Sequence, residues 1–130
     1  MAYKVLVVDD DREIIELVAE RLSREGYEVE KAFDGQEALD KLAQSLPDVV
    51  LLDLIMPKLN GLEVLAEIRK RHSGKWIPVI IVSAQSDLES VQQSYRQEAD
   101  HYLTKPCTMD NIVNGIRTMI SLIPMRRKDA

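Results

Sequence analysis

The stretch Asp48–Gly61, DVVLLDLIMPKLNG, decides the fold that the sequence predicts. It contains an apolar run, Val49–Leu52, of the length expected for a strand that is buried on both faces. The run stops at the carboxylate of Asp53, and Pro57 and Gly61 then break the chain into a loop. Ligands of open α/β sheets bind at the carboxyl ends of the strands, so Asp53 is a candidate functional residue. A lone acid after a strand more often only caps a turn, so the residues that follow the other strands decide its role.

The composition is that of one globular domain. The chain has 130 residues, of which 45% are hydrophobic and 30% charged, and this is enough for a sizeable core. The net charge of −5 does not indicate general affinity for nucleic acid. A single cysteine, Cys107, excludes an internal disulfide and fits a cytoplasmic location. No apolar run approaches the ~20 residues that span a membrane, and Met1–Lys4 leads straight into a strand, so we expect neither membrane insertion nor a signal peptide.

Hydrophobic periodicity predicts strands and helices in alternation. The predicted strands are Tyr3–Val8, Tyr27–Ala32, Val49–Leu52, Ile77–Val82 and Asp100–Thr104. The predicted helices begin near Asp11, Asp34, Gly61, Leu88 and Met109, and the last one ends at Ile123. This alternation predicts an α/β fold with a doubly wound, five-stranded parallel sheet and helices on both faces. We expect the third and fourth strands, the most apolar ones, to be central, in the flavodoxin-like strand order 2-1-3-4-5.

Local signals mark the start of the second helix and indicate that the fourth helix is only weakly attached to the core. Asp34 followed by Glu37 predicts a capping box at the start of the second helix. The fourth helix has the sparsest apolar face, since only Leu88, Val91 and Tyr95 recur at helical spacing. We therefore expect the fourth helix to be the element that shifts most easily.

Polar side chains follow four of the predicted strands. Asp9 and Asp10 follow the first strand, Asp53 the third, Ser83 the fourth and Lys105 the fifth. Parallel strands end at one edge of the sheet, so we expect these side chains to meet there. Three carboxylates held together repel one another, and a hard divalent cation such as Mg²⁺ removes the repulsion. A cation, a lysine and a hydroxyl together suit a phosphoryl group, with Asp53 left as the nucleophile.

Four motifs carry a resemblance to a known family. They are VLVVDDD (Val5–Asp11), LLDLIMPKLNG (Leu51–Gly61), IIVSA (Ile80–Ala84) and HYLTKP (His101–Pro106). Each motif alone is weak, whereas all four in this order, each at a strand end, are highly specific. Over Lys4–Leu122 the chain resembles the receiver domain of two-component response regulators, and it is similar to the single-domain chemotaxis regulator of that family.

The resemblance implies a metal-dependent phospho-acceptor site. Asp53 is then the phospho-acceptor, and Asp10 and Asp53 bind Mg²⁺ directly, with Mn²⁺ as a second suitable ion. Asp9 binds the ion mostly through water, and the backbone carbonyl of Ile55 completes the protein ligands.

The resemblance also implies a switch. Ser83 is the switch hydroxyl, and Lys105 pairs with the phosphoryl group. Tyr102 is the aromatic residue that turns inward when the hydroxyl engages phosphate. The peptide bond between Lys105 and Pro106 is expected to be cis, as in the family.

A member of this family is a phosphorylation-controlled switch. A sensor histidine kinase or a histidine phosphotransfer protein would supply the phosphoryl group of a phosphohistidine. The receiver would catalyse only its own phosphorylation and dephosphorylation, and it would not otherwise be an enzyme. The response would be read out on the face formed by helix 4, strand 5 and helix 5.

The implied domain covers residues 1–123, and residues 124–130 form a basic tail or the start of a linker. The output partner would be a separate protein or an output domain beyond that linker, with homodimerisation through helix 4, strand 5 and helix 5 as a further expectation. No direct contact with nucleic acid is expected of this domain. The alternative is a receiver-like module that is not phosphorylated and serves only in protein interaction or dimerisation; the complete set of site residues disfavours it.

Three positions depart from the family pattern. Ile55 and Gln85 occupy positions that flank the phosphoryl group and modulate hydrolysis of the acyl phosphate. Ile55 cannot position a water molecule and Gln85 carries no charge, so the lifetime of the phosphoryl group is left open. Cys107 stands where the family usually has phenylalanine, and we interpret it as a small, buried apolar residue.

Three other classes of site fit the sequence less well. Asp9, Asp11 and Glu13 have the spacing of a calcium loop, but Ile14 stands where that loop requires glycine. Haloacid-type phosphatases need a second acid two residues after the nucleophile, where this chain has Ile55. A flavodoxin-type cofactor binder would need a phosphate-binding loop after the first strand, and the acids there would repel a phosphate.

Overall fold

The structure, a computed structural model, describes residues 2–126, within which five strands and five helices alternate. The strands are β1 Lys4–Val8, β2 Glu28–Ala32, β3 Val49–Leu52, β4 Val79–Ser83 and β5 His101–Thr104. The helices are α1 Arg12–Arg24, α2 Gly35–Gln44, α3 Gly61–Arg71, α4 Leu88–Arg96 and α5 Met109–Arg126. All the strand pairs are parallel, in the order β2-β1-β3-β4-β5, which confirms the predicted fold class and strand order.

The register of the sheet brings the carboxyl ends of the strands level with one another. Val8, the last residue of β1, pairs with Leu52, the last residue of β3. The ladder continues one residue further, because the N–H of Asp53 donates to the carbonyl of Val8 at 3.0 Å. The N–H of Lys105 likewise donates to the carbonyl of Ser83 at 2.8 Å. The polar residues that follow these strands are therefore neighbours at one edge, which we call the carboxyl edge.

Hydrophobic clusters cover both faces of the sheet, because alternate strand residues point to opposite faces. The cluster with α2 and α3 includes Leu52 and Ile81. The cluster with α1 and α5 includes Leu51 and Ile80. Every residue of β3 is buried, as its continuous apolar run predicts.

The predicted apolar face of α4 is partly wrong. Leu88 and Tyr95 are 70% and 46% exposed, and Val91 is half-buried. The residue that α4 buries fully is Ser94, whose hydroxyl donates to the carbonyl of Ser90 at 2.9 Å. A few apolar residues at helical spacing do not determine which face is inward when the helix covers little of the core. The weak attachment expected of α4 fits this shallow burial.

The start of α2 differs from the predicted capping box. The Asp34 side chain accepts from the N–H of Glu37 at 2.7 Å, but the Glu37 carboxylate accepts from the N–H of Phe33 instead of closing on Asp34. A complete capping box begins α3, where Asn60 and Glu63 bond reciprocally. The spacing of Asn60 and Glu63 in the sequence Asn-Gly-Leu-Glu is that of a capping box, which the sequence-based prediction does not include.

The last helix extends further than the sequence predicts. α5 continues past Ile123 to Arg126, with Pro124 in its last turn. Proline removes one backbone hydrogen bond and crowds the carbonyl four residues earlier, and only two residues of the described helix follow it. Residues 124–126 of the predicted tail are thus helical, and residues 127–130 lie outside the described residues. No helix within residues 2–126 is long and apolar enough to cross a membrane.

Candidate functional site

Three carboxylates lie together where β1 and β3 end. Asp9 and Asp10 directly follow β1, and Asp53 directly follows β3, its neighbour in the sheet. A carboxylate oxygen from each residue lies within 4.8 Å of the others. Asp9 and Asp53 are only 4% and 6% exposed, whereas Asp10 is open to solvent. We call these three residues the acidic cluster.

Lys105 reaches the acidic cluster from the end of β5. Its Nζ lies 2.7 Å from Oδ2 of Asp9 and 3.2 Å from Oδ2 of Asp53. The peptide bond between Lys105 and Pro106 is cis, as the resemblance implies. One ammonium group thus faces three carboxylates, and the site keeps an excess of negative charge.

Backbone N–H groups hold the other oxygens of the two buried carboxylates. The N–H of Asp11 donates to Oδ1 of Asp9 at 2.9 Å, and the N–H of Ile55 donates to Oδ1 of Asp53 at 3.1 Å. Each bond joins an aspartate side chain to the backbone two residues later. Both carboxylates are thereby fixed with their second oxygen towards Lys105.

Burial and neighbouring charges shift two pKa values in the site. Burial raises the pKa of Asp53, and the N–H of Ile55 and the charge of Lys105 oppose this only in part. Burial by itself lowers the pKa of Lys105, but the hydrogen bond to Asp9 and the charges of both carboxylates outweigh it, so that the pKa of Lys105 is raised. Lys105 is therefore cationic at neutral pH, beside a carboxylate that its surroundings destabilise.

The third acid of the first motif serves a helix and not the site. The Asp11 side chain accepts from the N–H groups of Glu13 and Ile14 at 3.0 and 3.3 Å. These bonds make Asp11 the N-cap of α1. The two neighbours Asp10 and Asp11 thus have different tasks, although the sequence shows only consecutive acids.

Gly61, which the sequence marks only as a turn residue, packs against the backbone of Asp53 and Leu54. The N–H of Gly61 donates to the carbonyl of Leu54 at 2.9 Å. A Cβ atom at Gly61 would lie 2.3 Å from the carbonyl oxygen of Asp53, which no real contact allows. Only glycine lets α3 begin so close to the backbone of Asp53. Ile55, in the intervening loop, is 53% exposed.

Ser83 and Tyr102 both bind the backbone of Gln85, in the loop before α4. Ser83 is fully buried, and its Oγ accepts from the N–H of Gln85 at 3.2 Å. The hydroxyl of Tyr102 donates to the carbonyl of Gln85 at 2.6 Å. Burial raises the pKa of the Tyr102 phenol, which stays protonated and able to donate at neutral pH. The two residues of the predicted switch are therefore joined through the backbone of one residue, Gln85.

The donor atoms fit a hard divalent cation. Carboxylate and carbonyl oxygens are the ligands that Mg²⁺ prefers, and the acidic cluster supplies three carboxylates that a single lysine does not neutralise. The Ile55 peptide adjoins the cluster through its N–H bond to Asp53. Cys107 is half-buried, and burial raises the pKa of its thiol, which fits the predicted apolar role better than a reactive one.

The family model for the response regulator receiver domain matches residues 5–117. The chain belongs to this family. The receiver domain is similar to the response regulator MprA of Mycolicibacterium vanbaalenii, with 38% identity over 120 residues. That match covers 92% of this chain and 51% of the relative, so the chain spans about half the length of the curated relative that it matches.

Solved structures show the same fold. The chemotaxis protein CheY4 of Vibrio cholerae is 31% identical to this chain, with a TM-score of 0.86. The match covers 92% of this chain and 99% of CheY4. A CheY-like receiver domain protein of Methanospirillum hungatei is 28% identical, with a TM-score of 0.88 over 100% of both chains. This likeness spans chains of about the same length as the receiver domain.

Proposed function

We propose that this receiver domain accepts a phosphoryl group on Asp53 from a phosphohistidine of a sensor histidine kinase or a histidine phosphotransfer protein. The observation that carries the proposal is the buried Asp53 carboxylate, whose Oδ2 lies 3.2 Å from Lys105 within the acidic cluster. A carboxylate oxygen of Asp53 attacks the phosphorus atom, and the bond from phosphorus to the histidine nitrogen breaks. The electron pair of that bond stays on the imidazole, and the product is an acyl phosphate.

The acidic cluster and the carbonyl of Ile55 would hold Mg²⁺, in whose place Mn²⁺ also fits these oxygen ligands. The bound ion supplies positive charge against the phosphoryl oxygens that enter an already acidic site. The uncompensated carboxylates would otherwise repel an anionic phosphodonor.

Lys105 and Ser83 act on the phosphoryl group from the ends of β5 and β4. The ammonium of Lys105 is already bonded to Oδ2 of Asp53, so it lies beside the group that is transferred and pairs with one of its oxygens. The Oγ of Ser83 accepts from the N–H of Gln85, which leaves the hydroxyl proton available for a second phosphoryl oxygen.

The same hydroxyl links the site to α4. A movement of Ser83 towards the phosphoryl group weakens its bond to the N–H of Gln85, whose carbonyl accepts from Tyr102. The loop before α4 is thereby released, and the face formed by α4, β5 and α5 changes. We propose that an output protein, an output domain or a second copy of the domain binds this face.

We also propose what the domain catalyses and where it acts. The domain catalyses only its own phosphorylation and dephosphorylation, in the cytoplasm. The exposed side chain of Ile55 offers no polar group beside the acyl phosphate, and Gln85 offers no charge, so we expect its hydrolysis to be slow.

Mass spectrometry after incubation with acetyl phosphate and Mg²⁺ tests the proposal. The parent protein is expected to gain one phosphoryl group, Asp53→Asn to gain none, and Asp10→Ala to lose most of the uptake. Asp11→Asn is the matched control, because Asp11 caps α1 and asparagine caps equally well. Undiminished uptake by Asp53→Asn would contradict the assignment, and a parent that takes up no phosphoryl group would favour the interaction module.

A further inference from the structure

α4 is attached to the rest of the domain differently at its two ends, and its beginning is held loosely. Residues 84–87 are exposed, and the first helical residue, Leu88, is 70% exposed. The side chains of Ser83 and Tyr102 tie this end to the sheet through the N–H and the carbonyl of Gln85. Both side chains belong to the proposed switch, so phosphorylation acts directly on this attachment.

The turn that follows α4 contains one buried residue and is hydrogen-bonded on several sides. Ala99, in the turn between α4 and β5, is 7% exposed and belongs to the hydrophobic cluster of α2 and α3. Its N–H donates to the carbonyl of Ser94 at 3.0 Å. The N–H of Asp100 donates to the carbonyl of Val79 at 2.9 Å, which joins the turn to the start of β4.

Arg69, in the last turn of α3, clamps this turn from outside. Its Nε and Nη2 both donate to the carbonyl of Glu98, at 3.1 and 2.7 Å, and its Nη1 donates to the carbonyl of Ile77 at 2.6 Å. Nη2 also lies 2.8 Å from the carboxylate of Asp100. Glu98 has a φ of 70°, so Arg69 holds the turn in a conformation that residues other than glycine rarely adopt.

The carboxylate of Asp100 contacts several of the surrounding elements. It accepts from Nε1 of Trp76 at 3.1 Å and from the N–H of Val79 at 2.8 Å. Arg126, at the end of α5, lies 3.6 Å from the same carboxylate, with its guanidinium 4.1 Å from the centre of the Trp76 ring. We call Arg69, Trp76, Asp100 and Arg126 the amino-edge cluster, because it lies at the edge of the sheet opposite the phospho-acceptor site.

We propose that the amino-edge cluster is a fixed pivot about which α4 swings when Asp53 is phosphorylated. Displacement is largest at Leu88, whose attachment depends on Ser83 and Tyr102, and it falls along the helix to nothing at Glu98, which Arg69 holds. The end of α5 stays in place because Arg126 is bound to the same cluster. This inference rests on the proposed phosphorylation of Asp53.

NMR spectroscopy of the ¹⁵N-labelled protein, with and without Mg²⁺ and the phosphoryl mimic beryllofluoride, tests the pivot. In the parent, amide exchange at residues 85–91 is expected to change by about tenfold or more, and at residues 97–100 by less than about twofold. Trp76 is the single tryptophan, so its indole N–H gives one assignable signal. That signal reports on the amino-edge cluster and is expected to stay unchanged when the mimic binds.

Arg69→Gln is expected to abolish this gradient, because the turn then moves with the helix. Residues 97–100 should respond as strongly as residues 85–91, and the Trp76 signal should shift. Arg71→Gln is the matched control on the same helix, since Arg71 pairs with Glu67 and is 49% exposed. A second variant, Asp100→Asn, keeps the bonds from Arg69 to Glu98, and it is expected to weaken the gradient without abolishing it.

The outcomes separate the pivot from the function on which it rests. A uniform response along α4 in the parent, or an unchanged gradient in both variants, overturns the pivot while the shifts at Asp53 and Lys105 still show that the mimic binds. No shift at Asp53 and Lys105 in the parent overturns the proposed phosphorylation and the pivot together.

Discussion

Each of the two edges of the sheet places aspartate side chains beside basic ones, but their charges are balanced differently. At the carboxyl edge, Lys105 is the cation bonded to an acidic cluster of three carboxylates. At the amino edge, the single carboxylate of Asp100 has Arg69 and Arg126 beside it and accepts two further N–H bonds. The first arrangement is short of positive charge, whereas in the second two guanidinium groups face one carboxylate.

This difference separates a site that takes a ligand from one that holds the fold together. A buried charge is tolerated when it is paired and hydrogen-bonded, as at Asp100. An uncompensated group of carboxylates costs stability until a cation arrives, as we propose for the acidic cluster. Both edges place aspartate carboxylates beside basic side chains, so it is the balance of charge at each edge that indicates its role.

The largest expected effect comes from removing the cation at either edge. Lys105→Gln and Arg69→Gln should each lower the free energy of unfolding by about 3–5 kcal/mol in EDTA, because buried carboxylates lose their partner. Saturating Mg²⁺ should restore much of the loss in Lys105→Gln, since an ion at 100 times its Kd adds about 2.7 kcal/mol. It should restore nothing in Arg69→Gln, where Asp100 offers only one carboxylate. Urea unfolding with and without Mg²⁺ measures all four values.

The parent protein and Asp10→Ala serve as references for this experiment. Mg²⁺ should stabilise the parent less than Lys105→Gln, because the lysine repels the ion, and it should not stabilise Asp10→Ala. Equal recovery of the two lysine and arginine variants would show that the edges do not differ in the way that their charges suggest.

Much of the carboxyl edge is predictable because parallel strands bring their ends together. The runs that end at Asp9, Asp53, Ser83 and Lys105 locate the strands and the polar residues by one and the same pattern. The resemblance then supplies their roles. What the sequence does not show is that Asp11 turns away to cap α1, or that Gly61 packs on the peptide of Asp53. Both depend on distances of a few ångströms, which no periodicity contains.

The contacts of the amino-edge cluster can hardly be predicted from the sequence. Arg69, Trp76, Asp100 and Arg126 come from separate connections and helix ends, form no motif, and meet only after the fold has formed. Arg126 also lies beyond Ile123, the predicted end of α5, because the helix continues past Pro124. The burial of Ser94 is not predicted either, because a small polar residue in a helix gives no sequence signal of burial.

An intermediate effect is expected from removing charge at each edge. Asp53→Asn should stabilise the metal-free protein by roughly 1 kcal/mol at neutral pH, as substitutions at strained functional sites often do. Asp100→Asn should destabilise it, because Arg69 then loses its carboxylate. Thermal unfolding in EDTA distinguishes a gain from a loss.

The stabilisation by Asp53→Asn should depend on pH. Because burial raises the pKa of Asp53 in the folded protein, its contribution to stability is fully present below the ordinary pKa of 3.8 and is lost as pH rises through the raised value. The difference between the variant and the parent should therefore be small in acid and grow to a plateau as pH rises. A difference that shrinks with rising pH would mean that the surroundings of Asp53 favour its charge.

The smallest expected effect concerns one strained residue beside each edge. Lys58, in the loop after β3, and Glu98, in the turn before β5, have φ values of 68° and 70°. The left-handed conformation costs a residue with a Cβ about 1–2 kcal/mol, and glycine avoids this cost but gains about 0.5–1 kcal/mol of unfolded-state entropy. Lys58→Gly and Glu98→Gly should therefore each raise the free energy of unfolding by no more than about 1.5 kcal/mol. Urea unfolding in EDTA measures both gains.

The two glycine variants should nevertheless differ in function. Arg69 binds the carbonyl of residue 98 whichever side chain is present, so Glu98→Gly should keep the turn in place and leave the rate of phosphoryl uptake unchanged. Lys58 lies in the loop between Asp53 and Gly61, and added freedom there should reach the phospho-acceptor peptide and slow the uptake. Uptake measured with acetyl phosphate decides between them. If Glu98→Gly slowed uptake as much as Lys58→Gly, the amino edge would be coupled to the chemistry as closely as the carboxyl edge, and it could not act as a fixed support.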